Sequence, residues 1–131
     1  MANIDLNGKV ALVSGGAKNL GGLISREFAA SGMDIVVHFN SDTTEKDAEK
    51  TVDAIKGLGR NAIAIQSDLT KASNVAALFQ QAKDHFGGID VAVNTVGKVL
   101  RKPIIETTEE EFDQMMAINA KSAYFFIKEA G

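Results

Sequence analysis

With 131 residues, 45% of them hydrophobic, and a formal net charge of -3, the chain has the makeup of one ordinary soluble domain, and its mild acidity argues against a nucleic-acid partner, which needs concentrated Lys and Arg. It has no cysteine, which excludes disulfides, thiolate metal sites and a Cys nucleophile, and its two histidines, His38 and His85, are too few and too separate to suggest a metal site. No apolar run reaches the roughly 20 residues of a membrane span, and residues 1–9 are polar without the basic-then-apolar pattern of a signal segment, so a cytoplasmic protein is expected.

Short β-branched runs alternate with longer amphipathic ones. Residues 10–13 are a continuous apolar run of strand length that ends in a glycine-rich turn. Residues 20–30 predict a helix with Leu20, Ile24, Phe28 and Ala29 on one face, stopped by Gly32. Residues 35–39 are a second strand. Residues 44–58 put Ala48, Val52 and Ile55 at i, i+4 and i+7, a helical spacing, with Gly57 and Gly59 as terminators. Residues 62–65 predict a third strand. Residues 72–86 predict a helix, apolar at Val75, Leu78, Phe79, Ala82 and Phe86. Residues 89–93 are a fourth strand. The single proline, Pro103, follows in a loop. A last helix is predicted from about Glu109 to the end, because Thr107 with Glu110 and Thr108 with Glu111 both fit a capping box.

Strands apolar on both faces suit a parallel sheet covered by helices on each side. Strand and helix alternating three times imply right-handed crossovers and a doubly wound sheet. The expected architecture is a three-layer α/β/α Rossmann fold, with strand order 3-2-1-4, formed by a single dinucleotide-binding domain over residues 1–131. A further strand is expected next, so the chain reads as cut short on its carboxy-terminal side.

The informative segment is Ser14-Gly15-Gly16-Ala17-Lys18-Asn19-Leu20-Gly21-Gly22, which leaves the first strand and opens the first helix. Glycines there let the backbone approach a pyrophosphate, and free N–H groups at the helix start attract its charge. The plainer reading is a tight β–α turn that needs positive φ and nothing more. No Gly-Lys-Ser/Thr is present, so it is not a phosphate loop of the Walker type.

Ser14-Gly15-x-x-x-Asn19-x-Gly21 resembles the Thr-Gly-x-x-x-Gly-x-Gly turn of the short-chain dehydrogenases/reductases. Ser14 keeps the hydroxyl of the family's Thr. Asn19 replaces the middle glycine, and Asn tolerates left-handed backbone better than other non-glycine residues. Further motifs follow in the family's order. Asp68-Leu69 resembles the pair whose Asp hydrogen-bonds the adenine ring. Asn94-Thr95-Val96-Gly97 resembles the family's Asn-Asn-Ala-Gly, which supports the sheet centre and lines the nicotinamide-ribose side; Thr95 and Val96 are departures. Asn119, within Met116-Ala117-Ile118-Asn119, resembles the catalytic asparagine of the family's fifth helix. Plainer readings exist for each: Asp68 capping a turn, Asn119 merely solvated or back-bonded.

The resemblance also bears on the cofactor. Family members that use NAD place an acid at the end of the second strand, where its carboxylate holds the ribose hydroxyls and repels a 2′-phosphate. Phe39 stands at that position here, followed by Asn40 and Ser41, which can donate to a phosphate. Lys18 stands where NADP-preferring members often carry a base. The resemblance therefore implies NADP, with NAD second, although Asp42 and Glu45 nearby argue mildly against it. No metal is implied.

The implied activity is hydride transfer between NADP and a small-molecule carbonyl or alcohol. The family's Ser, Tyr and Lys would fall after Gly131, so this chain is expected to supply cofactor binding without the catalytic centre. Tyr124-Phe125-Phe126-Ile127-Lys128 matches Tyr-x-x-x-Lys literally. It lies five residues after Asn119 on the same helix, with no strand between, and reads as accidental. That helix often forms a subunit interface in the family, which implies a homo-oligomer, a dimer or tetramer. Without a fifth strand, Phe125 or Phe126 would face solvent. Two alternatives remain: a non-catalytic nucleotide-binding half-domain, and an S-adenosylmethionine-dependent methyltransferase, which also has a glycine turn but prefers an acid where Phe39 stands.

Overall fold

The computed structural model describes residues 4–131; the first three residues of the polar stretch 1–9 lie outside it. Four strands, β1 (Val10–Ser14), β2 (Asp34–Phe39), β3 (Ala62–Gln66) and β4 (Val91–Asn94), form one parallel sheet in the order β3-β2-β1-β4. The expected order is thus the observed one. Val13 pairs with Val37 on one side and Val93 on the other, which fixes the register at the sheet's centre.

Alternation along each strand sends neighbouring residues to opposite faces. Ala11, Val13, Ile35 and Val37 meet one apolar layer with Ala29, Ala48 and Ile55 from α1 (Asn19–Ala30) and α2 (Glu45–Gly57). Leu12 and Val36 meet a second layer with Val75, Leu78 and Phe79 of α3 (Ala72–Phe86). All five residues of β1 are buried, the reason its sequence is apolar without alternation. The result is the three-layer α/β/α arrangement.

Three elements depart from expectation. Leu20 is 63% exposed rather than core-facing, because the first turn of α1 overhangs the cavity described below. The fourth strand starts at Val91, later than residue 89. Asp90 precedes the ladder, its carboxylate accepting the Val10 N–H at 2.9 Å, and Ile89 packs from the loop onto the α3 layer.

The last helix is not continuous. It divides into α4 (Glu109–Met116) and α5 (Ser122–Ala130), joined by a π turn at Ala117–Lys121. Thr108 is the cap, its hydroxyl accepting the Glu111 N–H while Glu111 reaches back to the Thr108 N–H. Thr107 instead donates its hydroxyl to the Pro103 carbonyl. Phe126 is buried against Phe79 with ring centroids 5.1 Å apart, and Phe125 packs partly on the same layer. Neither therefore faces solvent as expected; Tyr124 and Ile127 do. Among the described residues, no helix is long and apolar enough to cross a membrane.

Candidate functional site

A cavity of about 620 Å³ opens along the carboxyl ends of the strands, a common size for a small-molecule site. Its floor is the turn after β1. Gly15 takes φ +65, and Asn19 takes φ +53, the left-handed conformation that its side chain tolerates. A Cβ on Gly21 would overlap the Gly15 carbonyl oxygen, so the helix start and the strand end touch backbone to backbone.

Polar side chains fasten this turn from below. The Ser25 hydroxyl lies 2.9 Å from Gly21 O and 3.0 Å from Gly16 O. Thr51 donates to Ala17 O at 2.6 Å, and Thr95 to Ser14 O at 2.7 Å. With the carbonyls engaged, the backbone N–H groups of Asn19, Leu20 and Gly21 have no partner among the described residues. These are donors that a helix start leaves unsatisfied, and all three residues line the cavity.

Most of the residues expected at the site are brought together. Gly15, Lys18, Asn19, Leu20 and Gly21 line the floor; Phe39 and Asn40 line one end; Asp68 and Leu69 lie beside them; Asn94, Val96 and Gly97 line the other end. Three of the expected residues lie outside. Ser14 is fully buried, donating to Asn94 Oδ1 at 2.5 Å, and Asn94 Oδ1 also accepts the Val96 N–H. Ser14 therefore shapes the cavity from beneath. Ser41 is occupied with the Thr43 hydroxyl at 2.8 Å, and Thr44 lines the wall in its place. Asn119 points its amide at the loop: Nδ2 donates to Lys98 O at 2.9 Å and Oδ1 accepts the Lys98 N–H at 2.8 Å.

The sequence reading missed several lining residues. Gln114, Ile118 and Ser122 form the far wall, and their spacing of four was legible as one helix face. Ala17, Thr44, Thr70, Thr95 and Lys98 complete the lining. The charged residues that line it are Lys18, Lys98 and Asp68. Asp68 turns Oδ1 to the Thr70 hydroxyl at 2.7 Å and the Thr70 N–H at 3.0 Å, and these bonds, the hydroxyl's first, hold its carboxyl below the ordinary range. Tyr124 and Lys128 take no part in the lining; Lys128 Nζ sits 5.7 Å from the Phe125 ring centre.

The model of the family described as short chain dehydrogenase matches residues 9–130. The chain belongs to the short-chain dehydrogenase family. This membership sets aside the methyltransferase alternative and agrees with the sheet order. A Burkholderia cenocepacia protein described as a dehydrogenase, with bound NADP, is 52% identical and superposes with a TM-score of 0.95 over 98% of this short-chain dehydrogenase chain and 49% of its own. A blue fluorescent protein from a metagenomic library, in complex with NADPH, is 35% identical with a TM-score of 0.91, over 97% and 51% of the two chains. The hydroxynaphthalene reductase-like protein Arp2 of Metarhizium robertsii is 41% identical over 125 residues, which are 95% of this chain and 46% of the relative. The chain thus spans about half the length of the curated relatives it matches.

Proposed function

We propose that this chain supplies the cofactor site of an NADP-dependent oxidoreductase that interconverts carbonyl and alcohol groups of a small molecule. The observation that carries the reading is the set of open N–H groups on Asn19, Leu20 and Gly21, at a turn where Gly21 packs so closely on the Gly15 carbonyl that no side chain fits there. A diphosphate fits that cradle. Support also comes from the NADP and NADPH bound to two similar structures.

The phosphorylated form of the cofactor suits the end of the cavity near β2. Phe39, 7% exposed, stands where a carboxylate would repel a 2′-phosphate, and Lys18 lines the cavity close in sequence to the cradle. Asn40 and Thr44 add polar atoms there, and Asp68 and Leu69 lie beside the place we assign to adenine. At the other end, Asn94, Val96 and Gly97 face Ile118 and Ser122 across the space we assign to the nicotinamide ribose. The nicotinamide, when bound, donates a hydride to a carbonyl carbon or removes one from an alcohol. Asn119 acts here as a positioning residue, its amide clamping the Lys98 backbone to the π turn and so fixing the width of that end. We place contact with a second copy on the exposed face of α4 and α5 that carries Phe112, Met116, Tyr124 and Ile127. A cytoplasmic location remains part of the proposal.

The Lys18→Ala variant tests the assignment. NADPH affinity should fall about tenfold, the loss of one charge-assisted contact, while NADH affinity stays within about twofold. Calorimetric titration of both cofactors would show it. Equal losses for NADPH and NADH would remove Lys18 from the phosphate, and failure of the unaltered intact protein to bind either would remove the function.

A further inference from the structure

We infer that His38 is the positioning residue that sets the diphosphate turn, acting as the neutral tautomer with its proton on Nε2; the inference rests on the dinucleotide site proposed above. His38 lies on β2 and is 1% exposed. It touches nothing in the cavity, yet it joins two segments that line it. Its Nδ1 faces the Gly15 N–H at 3.0 Å, and a backbone N–H can only donate, so Nδ1 must accept. Its Nε2 lies 2.8 Å from the Ser67 carbonyl, which can only accept, so Nε2 must carry the proton. The two partners fix the tautomer between them.

The consequences reach the cradle through Gly15. That residue holds φ +65 and its carbonyl is the backbone oxygen packed against Gly21. The His38 main chain also accepts the Gly16 N–H at 3.0 Å, so side chain and main chain together engage both amides where the turn leaves β1. Those two amides are turned inward, and the open ones on Asn19, Leu20 and Gly21 are left for a ligand. On the opposite side, the bond to Ser67 holds the segment that continues into Asp68 and Leu69. The imidazole thereby adds a side-chain tie to the Ser67 N–H bond that already joins this segment to the Phe39 carbonyl at the adenine end.

Protonation would destroy this arrangement, because Nδ1 would become a donor facing a donor. The surroundings keep it neutral. On the sheet face shared with Val36, the packing is apolar: Leu12 from β1, Val75 and Phe79 from α3, Phe126 from α5. β3 and β4 carry no charged residue, and the charged residues of α3 begin at Lys83 toward its far end. Asp68 and Lys71 are the charged groups of the segment that His38 bonds, and Asp68 spends Oδ1 on Thr70. Burial pushes the imidazole below its ordinary value of 6.5, against a smaller upward pull from the Ser67 carbonyl. A folded-state value lowered in this way gives stability that is whole above 6.5 and is lost as pH falls through the folded value.

The test compares the intact wild-type protein with His38→Asn and His38→Leu. Asparagine places Oδ1 where Nδ1 stood and cannot titrate; leucine fills the space without an acceptor. At about pH 8, His38→Asn, which keeps the acceptor for Gly15 but loses the bond to Ser67, should bind NADPH about threefold more weakly than wild type, and His38→Leu at least about tenfold more weakly, since the Gly15 N–H is then left without an acceptor. As pH falls through the folded-state value of the imidazole, below 6.5, the wild type should lose affinity relative to His38→Asn. Reading the difference between these two cancels the titration of the 2′-phosphate itself. Nitrogen-15 NMR of the wild-type imidazole should show the proton on Nε2 at neutral pH, a reading that needs no variant to fold. A proton on Nδ1, or a leucine variant that binds as wild type, would overturn the inference. A wild type that binds no NADPH yet shows the Nε2–H tautomer would instead count against the function proposed above.

Discussion

Gly21→Ala will cost the protein at least about a hundredfold in NADPH affinity, equivalent to roughly 2.7 kcal/mol. The added Cβ would overlap the Gly15 carbonyl oxygen and lie 2.8 Å from the Thr95 hydroxyl. Neither obstacle can swing aside. The oxygen belongs to backbone, and Thr95 is held by its own bonds to Ser14 O and Gly15 O. Relief must come from moving the start of α1 away from β1, which displaces the open N–H groups of residues 19–21 from their common aim. Folding should suffer less, by about 1–3 kcal/mol, as for other overpacked sites. Calorimetric titration alongside denaturant unfolding separates the two effects. Affinity within threefold of wild type would mean that the close backbone approach is not what the ligand uses.

Phe126→Ala will destabilise the fold by about 3–5 kcal/mol, the range for truncating a buried aromatic ring. The ring is 3% exposed and meets Phe79 edge-on at 5.1 Å, so its removal leaves a hole between α5 and α3. Tyr124→Ala, two residues away, is the control. Its ring is 68% exposed on the single chain, so its loss should cost the fold itself no more than about 0.5 kcal/mol, and any further loss, coming from the contact with a second copy, should depend on protein concentration. Urea unfolding with an unchanged slope would report both values. NADPH affinity should fall in Phe126→Ala as well, because Ile118 and Ser122 stand on the helical segment this ring anchors. Equal losses for the two variants would show that α5 does not pack as described.

The same helix marks where sequence reading reached its limit. The strands and their order were legible because burial on both faces leaves an unbroken apolar run, as in β1, and because alternation with helices restricts the topology. The facing of residues 122–130 was not. A π turn at Ala117–Lys121 inserts one residue into the helical count, and one residue rotates the following face by about 100°. Nothing in the local sequence announces that insertion, and the expectation that Phe125 or Phe126 would face solvent takes account only of the missing fifth strand, whereas both rings pack against the α3 layer. The glycine turn was legible down to Asn19, whose positive φ matches its place in the motif. Ser14, Ser41 and His38 were harder. A polar residue at a strand end reads alike whether it meets a ligand or a buried backbone group, and only the third dimension shows Ser14 bonded to Asn94 and His38 to Gly15.

A crystal structure of the intact protein with NADP bound tests the central claim most directly. The diphosphate oxygens should lie about 2.7–3.2 Å from the backbone nitrogens at the start of α1, among Asn19, Leu20 and Gly21. A dinucleotide seated elsewhere, with that turn unchanged and its amides facing only water, would contradict it.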